Sequence, residues 1–431
     1  MIVRARVVLP VARPPIEDGA VVVHNGCLAF VGRWTECPRE ARARVTDLGE
    51  VTLLPGLVNA HCHLDYTDMA GQIAPTASFT DWIKSITTLK AQWGYSEFAR
   101  SWLNGARMLA KSGVTTVADI EAVPELLPEV WTATPLRVIS FLEMTGVKSR
   151  RAPRQILTEA VRRIDALAPG RGALGLSPHA PYSTTPELLR LSAEIARQRR
   201  WRLTTHVAES AQEYEMFTAG RGEMFDWLRR NARDMSDCGR GSPVQHLERQ
   251  GFLGDNLLAV HVNRLAPGDA TLLGRRGVHI AHCPRSHEYF RHPAFPLTEL
   301  TAAGVNVCLG TDSLVTVRQG RGQRVALDLL AEMRTLAARE PGLAPETILR
   351  MATVNGARAL GLERRVGELS VGAWADLIAV PAPRHVPSGV EAAVLEAGPV
   401  MASMIDGQWV FGSELERQGT VPEASLRPPA A

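Results

Sequence analysis

Lysine is almost missing from this chain. Lys84, Lys90, Lys111 and Lys148 are the four in 431 residues, although Lys and Arg together number 48. The scarcity bears on metal chemistry, because a lysine can serve as a metal ligand. A strong charge imbalance is missing too. The formal net charge of +3 gives no reason to expect nucleic acid or an anionic membrane as a partner. No run approaches 18 apolar residues, and the N-terminus MIVRARVVLPVARPP has no cleavable signal pattern. Neither a membrane span nor export is therefore expected. The six cysteines, Cys27, Cys37, Cys62, Cys238, Cys283 and Cys308, include no Cys-x-x-Cys pair. They read as buried thiols of a reducing compartment rather than a disulfide framework, and the cytoplasm is the expected location.

What is present suffices for one large domain and a smaller one. The chain is 45% hydrophobic and 22% charged, ordinary for a globular protein with a large core. Residues 1–50 hold short β-branched runs with an Asn25-Gly26 turn, a strong hairpin signal. Residues 366–410 look similar: Gly367 and Gly372 punctuate, and a last pair of runs flanks Asp406-Gly407. Between these ends, eight apolar runs (53–60, 114–120, 136–144, 173–177, 202–207, 256–262, 278–282 and 306–310) alternate with helical stretches. That alternation predicts an α/β fold, a (β/α)8 TIM barrel over 53–365. The ends, 1–52 and 366–412, are predicted to form a composite small β-sandwich domain. The Pro-, Glu- and Ala-rich segment 413–431 reads as a poorly ordered tail.

The first barrel run ends in His61-Cys62-His63. Alternate strand residues share a face, so both imidazoles project toward one point, as two ligands of one ion would. The fifth run ends at His206, followed by Glu209; the sixth ends at His261 and the eighth at Asp312. Catalytic groups of a barrel sit at the C-terminal ends of its strands. Any one of these histidines alone reads more naturally as a satisfied core residue. Five metal-type groups at equivalent strand ends read as a metal site, with His61, His63, His206 and Asp312 as the ligands.

These residues, in this order, resemble the amidohydrolase superfamily. The segments PGLVNAHCHLD, SPHAPYS with HVAES, AVHVN with AHCPRS, and LGTDS carry the resemblance. Some members hold two metals bridged by a carboxylated lysine near the fourth strand end. Here that end carries His179, and Lys148 lies beyond the third strand. The resemblance is therefore to the branch with one divalent metal ion, Zn or Fe, which contains cytosine, guanine, S-adenosylhomocysteine and aminofutalosine deaminases and the triazine hydrolases. It implies attack of an activated water on an amino-bearing ring carbon, with release of ammonia. Asp312 would accept the water proton, Glu209 would protonate the ring nitrogen, and His261 would polarise the water or the developing oxyanion. His179 resembles a substrate-orienting histidine, and His282 a recurrent position at the seventh strand end. Relatives usually carry Asn where this chain has His287. The remaining histidines (His24, His246, His279, His292, His385) read as surface or packing residues.

Three features bear on the substrate. Phe79-x-x-Trp82-Ile83 resembles a pocket-walling segment of nucleoside-type members. Glu143, after the third strand, and the insertion at 216–251 resemble features of aminofutalosine deaminases. An adenine-type nucleoside is thus expected, with aminofutalosine first and S-adenosylhomocysteine or methylthioadenosine as the alternative. Its anionic arm would need an arginine, with Arg285 beside His282, Arg150 and Arg151 as candidates. Two rival readings are hydrolysis of another bond (a triazine or a cyclic amide) and a barrel kept as a non-enzymatic scaffold. Retention of every ligand speaks against the last. The expected partner is a small molecule; a homodimer is the expected assembly.

Overall fold

A computed structural model describes residues 1–38, 45–74, 76–147, 151–320, 324–382, 390–396 and 398–412. The predicted tail, His385, Lys148 and Arg150 lie outside them. Among the described residues, no helix is long and apolar enough to cross a membrane.

Eight parallel strands run in sequence order around the barrel: β6 (Leu57–Cys62), β7 (Val114–Glu121), β8 (Arg137–Met144), β9 (Ala173–Pro178), β10 (Leu203–Val207), β11 (Leu257–His261), β12 (His279–His282) and β13 (Asn306–Leu309). Val58, Ile120, Phe141, Val260 and Cys308 belong to one buried cluster shared among these strands. The second sheet is mixed. It takes β1 (Ile2–Val8), β2 (Ile16–His24), β3 (Cys27–Arg33), β4 (Val45–Asp47) and β5 (Val51–Pro55) from the N-terminal part, and β14 (Leu377–Pro381), β15 (Ala402–Ile405) and β16 (Gln408–Gly412) from the C-terminal part. The Asn25-Gly26 and Asp406-Gly407 turns both close hairpins, with φ of 48° and 73°, and 55° and 75°. Two consecutive positive φ values are what a tight two-residue hairpin needs.

The apolar run 53–60 is not one strand. It divides at Gly56, so that Val51–Pro55 pairs with β1 and β14 while Leu57–Cys62 opens the barrel. A side chain at Gly56 would lie 2.1 Å from Thr115 Oγ1, so the backbone crosses between the sheets only because none is there.

The barrel closes between its first and last strands through few contacts. Cys62 and Asp312 form an isolated parallel bridge, and the amides of Thr311 and Asp312 donate to the His61 carbonyl at 3.0 and 3.1 Å. Asn59 adds two bonds, accepting from the Thr311 amide at 3.1 Å and donating to its hydroxyl at 2.8 Å. Gly310 permits this approach, since a Cβ there would sit 2.8 Å from both the Cβ and the carbonyl oxygen of His61. Gly310→Ala should therefore strain the seam by about 1–3 kcal/mol, the usual cost of overpacking. The expected readout is a lower thermal midpoint with weaker metal retention. An unchanged midpoint would show that the seam accommodates a methyl group.

Candidate metal centre and pocket

His61, His63 and His206 meet at the C-terminal mouth of the barrel, with one donor atom from each within 4.8 Å of the others. Nε2 of His63 and of His206 are 3.3 Å apart, and Asp312 Oδ1 lies 3.7 Å from Nε2 of both His61 and His63. All four side chains are buried. Both ring nitrogens of His61, and Nδ1 of His63, have no hydrogen-bond partner. Orphaned buried nitrogens are costly unless something binds them. His206 is oriented from behind: its Nδ1–H donates to the His179 carbonyl at 2.9 Å, leaving Nε2 with a free lone pair. Burial and neighbouring imidazoles push His206 well below its usual pKa, and burial and His61 take His63 down to about 3, so both are neutral, the ligating form. Asp312 Oδ2 accepts from Ser286 at 2.6 Å and Thr316 at 3.3 Å, which turns Oδ1 toward the histidines. Three imidazoles and one carboxylate fit a divalent ion.

Strained backbone surrounds this point. Ala208, His261, Val262 and Asp312 have φ of 52°, 73°, 51° and 53°, a region that residues other than glycine rarely occupy without compensation. Here the compensation is the barrel hydrogen bonding itself, which continues through the Val262 amide to the Val207 carbonyl at 3.0 Å.

Glu209 Oε1 lies 3.5 Å from His261 Nε2, and both side chains are buried. Burial first, then the charges of Asp312 and Glu213, pushes the Glu209 carboxyl well above its usual pKa, so it can hold a proton. Its loop is pinned from two sides. Glu213 accepts the Glu209 amide at 2.9 Å, and Asn263 donates to the Glu209 carbonyl at 3.0 Å. His287 contacts Asn263 Oδ1 at 3.0 Å and the Pro293 carbonyl at 2.6 Å. His287 thus acts through Asn263 rather than facing the cavity.

The centre opens into a cavity of about 670 Å³. Trp82, Glu143 and His179 line it. So do Tyr66 and Lys90, which the sequence reading passed over. The segment 216–251 contributes the helix Glu223–Arg230, whose Trp227 and Leu228 complete an apolar wall with Trp82. Ser78 donates to Glu223 at 2.8 Å, tying this helix to the start of Phe79–Lys90. Arg151 and Arg163 stand among the lining residues.

Two expected substrate contacts fall elsewhere. His282 stacks on Phe295 with ring centroids 3.9 Å apart and is not among the described lining residues, so it packs rather than binds. Arg285 is spent on Glu332, 2.5 Å from Nε to Oε1, and on the carbonyls of Ala326 at 3.0 Å and Asp328 at 3.4 Å. It too does not line the cavity. Three of its five N–H groups are engaged there, and the guanidinium is held against Glu332 away from the cavity.

Comparison with known proteins agrees with this architecture. The family model described as "Amidohydrolase family" matches residues 52–410. A 5-methylthioadenosine/S-adenosylhomocysteine deaminase of Syntrophobacter fumaroxidans is 34% identical over 383 residues, 84% of this chain and 80% of its own. The crystal structure of an adenosine deaminase from Xanthomonas campestris with bound zinc superposes with a TM-score of 0.81 at 25% identity, over 98% of this chain and 94% of that one. Helicobacter pylori aminofutalosine deaminase in complex with methylthio-coformycin shares the fold, with a TM-score of 0.82 at 21% identity over 95% of this chain and 100% of that one. From motif order, barrel and matched length together, the chain belongs to the amidohydrolase family.

Proposed function

We propose that the protein is a hydrolytic deaminase of adenine-type nucleosides carrying a 5′ substituent. The observation that carries this reading is Glu209: a buried, protonatable carboxyl beside His261, facing the same cavity as His63, His206 and Asp312. Amide hydrolysis has less use for an acid at that point, whereas an amino-bearing ring needs its neighbouring nitrogen protonated before attack. The 34% identity to a methylthioadenosine/S-adenosylhomocysteine deaminase supports the same reading.

A divalent ion held by His61, His63, His206 and Asp312 would supply Lewis acidity that makes water nucleophilic near neutral pH. Zinc and ferrous iron both suit this donor set. Asp312 accepts the proton released by the attacking water. Glu209 delivers its own proton to the ring nitrogen next to the amino-bearing carbon, and His261 stabilises charge on the incoming oxygen. The proton on Asp312 then passes to the amino group, the proton left on the incoming oxygen returns to Glu209, and ammonia leaves as that oxygen becomes the ring carbonyl.

The test is a screen of adenosine, 5′-methylthioadenosine, S-adenosylhomocysteine and aminofutalosine, read as loss of adenine absorbance with matching ammonia release. Turnover of at least one supports the assignment. Ammonia from none of them, with product from a triazine or cyclic amide, would move the enzyme to a different bond.

Arg151 favours a substrate whose arm ends in a carboxylate, since it lies in the wall of the cavity. This condition admits both S-adenosylhomocysteine and aminofutalosine. Arg151→Ala should lower kcat/KM for the carboxylate-bearing substrates by roughly 10–100-fold, the worth of a charge-assisted hydrogen bond. Methylthioadenosine, which has no carboxylate, should be little affected. Equal losses on both kinds of substrate would remove Arg151 from arm recognition.

A further inference from the structure

His287 is buried on the short helix Pro284–Tyr289, outside the described lining of the cavity. Each of its ring nitrogens faces an oxygen: Nδ1 stands 3.0 Å from Asn263 Oδ1, and Nε2 stands 2.6 Å from the Pro293 carbonyl. The Asn263 amide is fixed in this sense. Its Nδ2 donates to the Glu209 carbonyl at 3.0 Å, and a reversed amide would set its oxygen against that carbonyl. Both atoms facing the ring are therefore acceptors, and both nitrogens need a hydrogen to meet them.

A neutral imidazole carries only one. Burial is the largest influence on the His287 ring and lowers its pKa; the Pro293 carbonyl opposes burial, Arg339 and Glu288 act in opposite senses, and the outcome is about 4. Arg339 and Glu288 also pair with each other. The imidazoles packed against the ring, His282 and His292, are themselves kept neutral by burial, and Phe295 meets it edge-on. Near neutral pH, His287 thus has one proton for two acceptors.

The two acceptors differ in what hangs on them. Pro293 follows the helix that carries His287. Asn263 follows β11 and grips the loop after β10 twice, through its backbone amide to the Ala208 carbonyl at 3.0 Å and through Nδ2 to the Glu209 carbonyl. Ala208 has a φ of 52°, so this loop is held by its partners rather than by its own preference. A hydrogen on His287 Nδ1 fixes the Asn263 side chain and, through it, the backbone from which Glu209 reaches to 3.5 Å from His261. A hydrogen on Nε2 alone sets two lone pairs against each other at Asn263 and frees its amide to swing away from Glu209.

We propose that His287 is a positioning residue for Glu209, acting through Asn263: the ring engages the Glu209 loop when its proton is on Nδ1 and releases it when the proton is on Nε2. The inference rests on the deaminase reading, in which the Glu209 carboxyl must meet a ring nitrogen of the substrate.

Two substitutions separate the tautomers, because the side-chain nitrogen of Asn takes the place of Nδ1 and that of Gln the place of Nε2. His287→Asn keeps a donor toward Asn263, and His287→Gln keeps one toward Pro293 only. With the aminopurine that the screen selects, His287→Gln should lose roughly 10–100-fold in kcat with KM nearly unchanged, the cost of a displaced catalytic group. His287→Asn should recover most of that loss. Both should hold the parent's metal content, which excludes an effect passed instead from the neighbouring Ser286 to Asp312. Asn263→Asp, which replaces the donor to Glu209 by an oxygen and leaves the ring untouched, should repeat the loss from the other side. In a Glu209→Gln background, His287→Gln should cost much less than it does alone, since the proton it places is already gone. Equal kcat in the Asn and Gln variants, or normal kcat in Asn263→Asp, would overturn the proposal. So would losses that multiply in full with that of Glu209→Gln, the mark of a merely structural role. Those outcomes leave the deaminase reading standing; absence of ammonia from every aminopurine removes both.

Discussion

Replacing His206 with Ala should leave a folded barrel that retains little metal and has no measurable turnover. His206 is a clean ligand to remove, because apart from its place at the centre its side chain makes one hydrogen bond, from Nδ1 to the His179 carbonyl. The imidazole leaves a space at a strand end, not a hole in the apolar core, so the fold should survive. Loss of a group that only orients a ligand typically costs 10–100-fold in metal affinity, and loss of the ligand itself should cost more. Elemental analysis of the purified variant, set against about one equivalent in the parent, checks the first part, and ammonia release checks the second. His61→Ala should do the same, since its ring nitrogens have no partner other than the ion and its carbonyl keeps both seam bonds. Full metal occupancy in both variants would mean that the ion is held elsewhere.

Glu209→Gln is expected to keep the metal and lose turnover by roughly 10²–10⁴-fold, the usual worth of a positioned acid–base group. Gln fills the same space beside His261 and leaves the backbone bonds from Glu213 and Asn263 intact. What it cannot do is give up and take back a proton. The loss should fall on kcat rather than on KM, since ring binding needs only a donor and the amide supplies one. A variant with normal metal content and near-normal kcat would transfer the proton to another group, with His261 the nearest. The two experiments separate cleanly: His206→Ala removes the ion, Glu209→Gln leaves it in place.

Much of this site is legible in the chain because it is built on strands. Residues i and i+2 at a strand end share a face, so His61-Cys62-His63 announces a pair of ligands before any fold is known. Placing His206, His261 and Asp312 at later strand ends then needs only the alternation of apolar runs with helices. The hairpins at Asn25-Gly26 and Asp406-Gly407 are legible for a local reason as well, the backbone those dipeptides permit. What escapes is pairing over long distances. The run 53–60 carries its break at Pro55-Gly56, but that its halves join different sheets depends on partners far along the chain, Leu377–Pro381 for one and Val114–Glu121 for the other. Arg285 reads as a free cation at the barrel mouth until Glu332, 47 positions on, is found against it. His282 occupies a strand end like the ligands, yet Phe295 covers its face. Lys90 gives no signal in its own helix; Glu143 and Tyr66 reach it from other elements.

The seam at which the barrel closes also sets when the protein can become active during its synthesis. Asn59 and the Thr311 that bonds it are 252 residues apart. At the pace of translation, about 5–20 residues per second, on the order of 10–50 s pass between their emergence from the ribosome. For that interval the open edge of β6 has no neighbour on one side, and His61 and His63 stand as half a binding site. An ion captured then would be weakly held, and a chain released then would carry an unpaired strand edge, the kind that invites association with other chains. Arrival of Gly310, Thr311 and Asp312 removes both hazards in one step, because the residues that zip the ring shut bring the fourth ligand with them. Truncated products ending before that point are thus open sheets and incomplete centres at once, recognisable to quality control by the same exposed edge.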